Sequence, residues 1–190
     1  MLDIAVITAT SPEGRSGANV SRWFLGRAGL RADLNVDVID LNRIALPPLH
    51  PRRPPAETDA ATRELAARIG AADGFVVITP EYNHAYPAAL KLAVDAVRGE
   101  WAAKPAGFVS YGGQSGGLRA VEQLRLVFAE LHVVTLRDTV SFHRVEGQFD
   151  EEGEPVDPAG VNGAAKVLLD QLIWWGTALR EARAARPYDI

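Results

Sequence analysis

Three short clusters carry the groups best suited to chemistry, and each holds a different kind. The first, residues 9–17 (A-T-S-P-E-G-R-S-G), combines three hydroxyls, two glycines and an arginine. Set between a strand and a helix, such a loop aims backbone N–H groups and the positive end of the helix dipole at whatever lies above it, which favours a phosphate. Thr10, Arg15 and Ser16 are the side chains that could complete that site. The alternative is a polar turn in which Ser16 only caps the helix. The run contains neither the Gly-Lys-Ser/Thr of a Walker loop nor G-x-G-x-x-G, which argues against NTP hydrolysis and a Rossmann dinucleotide site.

The second cluster, residues 79–87 (T-P-E-Y-N-H-A-Y-P), brackets two tyrosines, an asparagine and a histidine between prolines. A stiff turn of this kind presents flat rings with donors and acceptors beside them, as a planar amphiphilic heterocycle requires. His84 reads as a hydrogen-bonding or shielding residue and not as a general base, because no acid is paired with it in sequence. The third cluster, residues 110–117 (S-Y-G-G-Q-S-G-G), has four glycines, which permit positive φ and close backbone approach to a ligand. Its N–H groups could meet the carbonyl edge of a ring; a flexible strand–helix turn is the plainer reading. A serine triad would need a G-x-S-x-G elbow, and the order here is wrong for one. His50, His132 and His143 lack ligand-like spacing with carboxylates, so no metal site and no catalytic side chain is expected.

Bulk properties narrow the classes further. The 190 residues, 47% hydrophobic and 23% charged, suit a single globular domain spanning residues 1–190. A net charge of −4 gives no overall basic field for nucleic acid or an anionic membrane. The absence of cysteine rules out disulfides, thiolate metal sites and thiol nucleophiles, so redox chemistry would need a borrowed cofactor. The apolar run after Met1 is too short for a signal peptide, and no stretch reaches the roughly 20 apolar residues of a membrane span. A cytoplasmic protein is expected.

The elements that must position these clusters alternate strand and helix. Apolar runs predict strands at 4–8, 35–41, 75–79 and 106–111, with 133–136 and 140–142 forming a bent fifth. Helical periodicity predicts helices over 18–28 (Gly29 as C-cap), from a cap at Thr58 or Asp59 to 71, from Pro87 in a first turn through Val97, over 118–131 and over 159–183. The Pro-rich stretch 47–55 cannot be regular structure, and the acidic segment 146–157 reads as a solvated loop. Five parallel strands close most economically as a doubly wound α/β sheet of order 2-1-3-4-5, flavodoxin-like, with helices on both faces. Ligands in such sheets bind at the carboxyl ends of the strands, where all three clusters fall.

The second cluster with its sequel, Thr79-Pro80-Glu81-Tyr82-Asn83-His84, Pro87 and Leu90-Lys91-Leu92-Ala93-Val94-Asp95, resembles the T-P-E-Y-N-x-x-x-P-x-x-L-K-x-A-x-D of the NADPH-dependent FMN reductase family. Lys104-Pro105, Ser110-Tyr111-Gly112-Gly113, Gly116-Gly117, Arg119-Ala120 and Gln123-Leu124-Arg125 are similar to a second motif of that family, and order and spacing agree from residue 4 to about 136. The resemblance implies FMN, with Thr10, Arg15 and Ser16 on its phosphate. It places Pro80, Glu81, Tyr82, Asn83 and His84 along the isoalloxazine and ribityl chain, and Ser110, Tyr111, Gly112 and Gly113 at the opposite ring edge. The first cluster departs from the family's G-S-x-R-x-G-R start: Ala9, Thr10 and Pro12 stand for glycine, serine and the first arginine, so Arg15 carries more of the charge pairing.

The same resemblance implies NADPH or NADH as electron donor and a small-molecule acceptor such as a quinone, worked in a ping-pong cycle. It also implies a homodimer or homotetramer, for which Trp101, Trp174 and Trp175 offer large rings that ordinary core packing would equally explain. Supply of free reduced FMN to a partner monooxygenase, a non-enzymatic flavodoxin-type carrier and a flavin-free interaction module are the competing readings.

Overall fold

Residues 1–10, 14–47 and 59–188 are described by a computed structural model. The Pro-rich stretch beyond Pro47, Thr58 as a candidate cap, and Ser11, Pro12 and Glu13 of the first cluster lie outside the described residues. Along the chain run β1 (Leu2–Thr8), α1 (Arg15–Gly29), β2 (Leu34–Asp40), α2 (Ala60–Ala71), β3 (Gly74–Pro80), α3 (Ala88–Ala96), β4 (Pro105–Tyr111), α4 (Leu118–Glu130), β5 (Val134–Thr135), β6 (Val140–Phe142) and α5 (Pro158–Ala185).

The sheet is parallel throughout, in the order β2-β1-β3-β4, with β5 and β6 both pairing to the far side of β4. The expected bent fifth strand is therefore two short strands in one position. This is the flavodoxin-like α/β fold. Every residue of β3 and β4 is buried, which is why their sequences are nearly unbroken apolar runs. Edge strand β2 has a partly exposed pattern, and its acids Asp37 and Asp40 accept bonds from Arg68 and Asn42.

Period-2 alternation sends successive side chains to two separate cores. Ile7, Phe75, Val77 and Phe108 pack under α2, α3 and α4 with Leu65, Leu90, Leu124 and Phe128. Val6, Val76, Ile78 and Val109 pack under α1 and α5 with Val20, Phe24, Leu168 and Leu172. Trp101, expected as a possible interface ring, is instead fully buried in the first core, edge-on to Phe75 and Phe128. Trp174 and Trp175 are exposed on α5.

Helix ends differ from expectation in instructive ways. α1 begins at Arg15, so Arg15 and Ser16 belong to its first turn and Gly14 is the N-cap; Ser16 is no cap. At the other end the C-cap is Leu30 in right-handed geometry, and Gly29 is an ordinary last helical residue. Pro87 is the N-cap of α3 and not part of its first turn. Asp59 caps α2 as expected, accepting from the Thr62 N–H at 2.9 Å.

At the sheet end opposite the three clusters, a small charged group ties α5 down. Asp73, just ahead of β3, takes Arg180 and Arg183 at 3.2 Å each. Beside it the buried Lys104 donates to the carbonyls of Ile69 (2.8 Å) and Gly70 (2.9 Å). Burial pulls the Lys104 ammonium down to about 8 from 10.5, with nearby Arg183 adding to the effect. A neutral amine still has two N–H groups for the two carbonyls, so deprotonation sheds the desolvation cost and keeps both bonds. The unfolded chain therefore holds more protons than the folded one between the two values, and stability from this group rises with pH across that window. Relative to Lys104→Met, the wild type should gain on the order of 3 kcal/mol between pH 8 and 10.5 in denaturant titrations. A constant difference across that range would refute the assignment.

Candidate functional site

Strand register brings the three clusters to one edge. Thr8 of β1 pairs with Ile78 of β3, and Thr79 and Pro80 of β3 pair with Ser110 and Tyr111 of β4. Ser110 and Tyr111 in turn pair with Ser141 and Phe142 of β6. The chain leaves β1, β3 and β4 side by side.

Over β1, the first turn of α1 opens onto this edge. Its first turn contains no acid, and among the described residues none caps it with a side chain, whereas α2 and α5 are closed by Asp59 and Asp157. Among the described residues its leading N–H groups meet no side-chain acceptor, an arrangement that suits an anion. Gly17 lets the helix descend this far: a Cβ there would stand 2.4 Å from the Tyr111 hydroxyl and 2.9 Å from the Thr10 Cβ. Asn42 holds Thr10 from the β2 side, donating to its carbonyl at 2.8 Å. Tyr111 lies buried beneath the loop, so burial, and secondarily the charge of Tyr82, raises its phenol well above the usual range and keeps it neutral. Arg15 is exposed, and its Nη2 donates to the Glu151 carbonyl at 2.8 Å.

That last contact corrects the reading of residues 146–157 as a merely solvated loop. The segment folds back over α1, and a recess of about 410 Å³ between them is lined by Arg15, Ser16, Asn19, Phe149 and the acids Glu146, Asp150 and Glu151, with Val145 below.

The loop after β3 is a tight reversal. Tyr82 and Ala85 exchange N–H···O bonds of 2.8 and 3.1 Å, with Asn83 (φ 49°) and His84 (φ 75°) at its tip in left-handed conformation. Both central residues at positive φ define a type I′ turn, which asparagine tolerates and histidine resists. Gln123 of α4 compensates, donating to the His84 carbonyl at 2.7 Å. Tyr82, Asn83 and His84 are thereby presented at the surface.

Glu81 points elsewhere. Its side chain is 4% exposed and accepts from the Ser115 hydroxyl (2.6 Å), the Arg119 N–H (3.2 Å) and Arg119 Nε (2.5 Å). Burial works against this carboxylate, but the bonds from Ser115 and Arg119 outweigh it and hold its pKa below the ordinary 4.5. The carboxylate clasps the loops after β3 and β4 together.

The loop after β4 is fixed by its backbone. Ser110 and Ser141 both donate to the Gly116 carbonyl, at 2.9 and 2.8 Å. Gly116 and Gly117 have φ of 62° and 85°, and a Cβ on Gly117 would meet the Ser110 Cβ at 2.7 Å. Gly112 donates to the Phe142 carbonyl (3.2 Å), and the Gly113 carbonyl accepts from Arg144 (2.7 Å). Gly113 is left exposed, with open space where a side chain would point.

Thr10, Arg15, Ser16, residues 80–84 and residues 110–113 thus stand at one end of the sheet, where β1, β3 and β4 finish side by side. Sequence reasoning missed the clasp formed by Ser115, Arg119 and Gln123, although Arg119 and Gln123 belong to the second motif. It also missed Gly17 and the Glu151 carbonyl, whose contact with Arg15 spans 136 positions in sequence and leaves no local signal.

The fold is that of a flavodoxin-like protein, with the three clusters at the carboxyl ends of its strands. The chain belongs to the NADPH-dependent FMN reductase family, which it matches over residues 2–147. It is 41% identical over 103 residues to the NAD(P)H-dependent FMN reductase of Saccharomyces cerevisiae, a match covering 50% of this chain and 53% of the yeast protein. It is 33% identical over 142 residues to a probable NADPH:quinone oxidoreductase of Oryza sativa, covering 72% of each. The chain thus spans only about half of the first of these relatives. Among solved structures, a flavoenzyme NAD(P)H:(acceptor) oxidoreductase from Paracoccus denitrificans superposes with a TM-score of 0.70 at 18% identity, covering 94% of this chain and 98% of that one. That likeness is one of fold.

Glu81 generates a pH-dependent prediction. Because its folded pKa is depressed, its stabilisation is full above the ordinary value and is lost as pH falls through the folded one. Glu81→Gln should cost about 1–2 kcal/mol at pH 7 in denaturant melts, and the gap to wild type should close below pH 4.5. A gap that persisted in acid would show that the clasp does not depend on the carboxylate's charge.

Proposed function

We propose that the protein is an NAD(P)H-dependent flavin oxidoreductase that holds FMN in the strand-end crevice and reduces a small flat acceptor such as a quinone. The observation carrying this reading is the open N-terminus of α1, set beside Thr10, Arg15 and Ser16 and across from two loops that present rings and backbone groups. These residues fit a phosphorylated planar ligand. The helix end and Arg15 suit the phosphate, Tyr82, Asn83 and His84 suit one side of a ring system, and the open backbone at Gly113 suits an edge.

FMN, when bound, supplies the hydride-accepting centre, so the reading needs no protein nucleophile and assigns no catalytic side chain. The chain's part is to bind, orient and exclude water. The neutral, buried Tyr111 fixes the floor under the phosphate loop without adding negative charge there. The Glu81–Arg119 ion pair keeps one carboxylate neutralised beside a ring that would gain negative charge on reduction. Donor and acceptor would use one open face in turn, which gives ping-pong kinetics. Acceptor classes are suggested by relatives named as quinone reductases, including a 2-hydroxy-1,4-benzoquinone reductase of a Burkholderia species, 27% identical over 134 residues.

The reading extends to a single domain over residues 1–190, working in the cytoplasm as a homodimer or homotetramer. The exposed, edge-on pair Trp174 and Trp175 supports association, since it leaves much apolar ring surface in water. A second reading, supply of free reduced FMN to a partner, is favoured by Pro12 in place of the family's first arginine, which leaves Arg15 as the one arginine of the first cluster.

Purified protein should show a flavin spectrum with added FMN and oxidise NADPH or NADH with menadione as acceptor. Saturation in free FMN would favour the second reading, and a protein that ignored FMN would overturn both. Arg15→Ala should weaken FMN binding about tenfold in fluorescence titration while leaving riboflavin, which lacks the phosphate, unaffected. Equal loss for both flavins would remove Arg15 from the phosphate.

A further inference from the structure

The segment that reaches Arg15 lies mostly beyond the stretch matched by the family, which ends at residue 147. It is a folded strap. Phe149 and Pro155 bridge, Asp150 donates to the Glu154 carbonyl (2.9 Å), and the Asp150 carboxylate accepts from the Glu154 N–H (2.7 Å). Phe149 rests on Phe142 of β6, with ring centroids 5.1 Å apart.

Its attachment to α1 follows one helical stripe. Arg15, Asn19 and Arg22 stand at i, i+4 and i+7 and so share a face. At the far end of that stripe Arg22 Nη2 donates to the carbonyls of Glu152 (3.1 Å) and Gly153 (3.0 Å) and to Asn19 Oδ1 (3.2 Å). Gly153 has φ of 81°, and a Cβ on it would fall 1.8 Å from Arg22 Nη2, so this knot requires glycine. From the knot the strap runs back along the stripe and delivers the Glu151 carbonyl to Arg15.

We propose that Arg22 and Gly153 are positioning residues for Arg15: they fix the strap so that the Glu151 carbonyl holds the Arg15 guanidinium at the mouth of α1. This rests on the reading of Arg15 as the cation for the FMN phosphate. One of the five guanidinium N–H groups is used by the carbonyl, and the rest remain for a ligand. A long side chain already ordered loses less rotamer freedom on binding an anion. The strap's effect is positional and opposes its charge: Glu146, Asp150 and Glu151 line the recess, and their carboxylates alone would repel a phosphate. The two effects therefore predict opposite signs when the strap is loosened.

The test is fluorescence titration of the full chain with FMN and with riboflavin. Arg22→Ala should weaken FMN binding about three- to tenfold and leave riboflavin unchanged. Arg22→Lys, which can still donate to carbonyls, should recover part of the loss, and in an Arg15→Ala background Arg22→Ala should cost nothing further. Gly153→Ala, which leaves the sequence of α1 intact and drives the Arg22 guanidinium off the strap, should reproduce the loss. Unchanged or tighter FMN binding in Arg22→Ala, or equal weakening of both flavins, would overturn the positioning role. A wild type with no preference for FMN over riboflavin would instead remove the phosphate reading, and this inference with it.

Discussion

The arrangement of the strand ends depends on how closely α1 seats on the sheet. Gly17 carries no Cβ, and with one the helix would collide with the Tyr111 hydroxyl and with Thr10. Because the helix can descend, its first turn packs against Thr10 and Tyr111, at the ends of β1 and β4. A helix held a few ångströms higher would keep its dipole but lose the company of the other loops. Tyr111 answers the same constraint from below, filling the space beneath the loop with a ring whose burial favours the neutral phenol.

The two remaining loops are held by different means. After β4, conformation is enforced by glycines at positive φ and by two serine hydroxyls converging on one carbonyl, that of Gly116. After β3, two non-glycine residues occupy left-handed positions, a local cost of about 1–2 kcal/mol for histidine. Neighbours offset that cost: Gln123 binds the turn's carbonyl, and Glu81 locks the loop to Ser115 and Arg119. A turn strained in isolation persists because α4 holds it from the side. The exposed residues at the tip of the turn are thus supported by neighbours that are themselves tied into α4 and the loop after β4.

The strap, mostly beyond the stretch the family model matches, covers the flank of α1 and reaches Arg15. Its acids give little field to recommend it to an anion, and its contribution lies in the backbone carbonyls it places along the stripe of Arg15, Asn19 and Arg22.

By itself the sequence determined the order of the elements, the parallel sheet and the place of the three clusters. Apolar runs of strand length between amphipathic helices admit few other closures, and local spacing carried the motifs on 79–95 and 104–125. It also determined the core faces, since Leu90, Ala93 and Val94, or Val121, Leu124 and Phe128, recur at helical period and are buried. Tertiary structure alone decided which polar groups of the strand-end loops are exposed and which are consumed in holding the loops together. Glu81 and Ser110 read alike with Asn83 as ligand-facing residues, yet the first two spend their side chains on Ser115, Arg119 and Gly116. It also decided that the acidic segment is a strap and that Trp101 is core. These are contacts between residues far apart in the chain, and pairing at a distance leaves no periodicity to read.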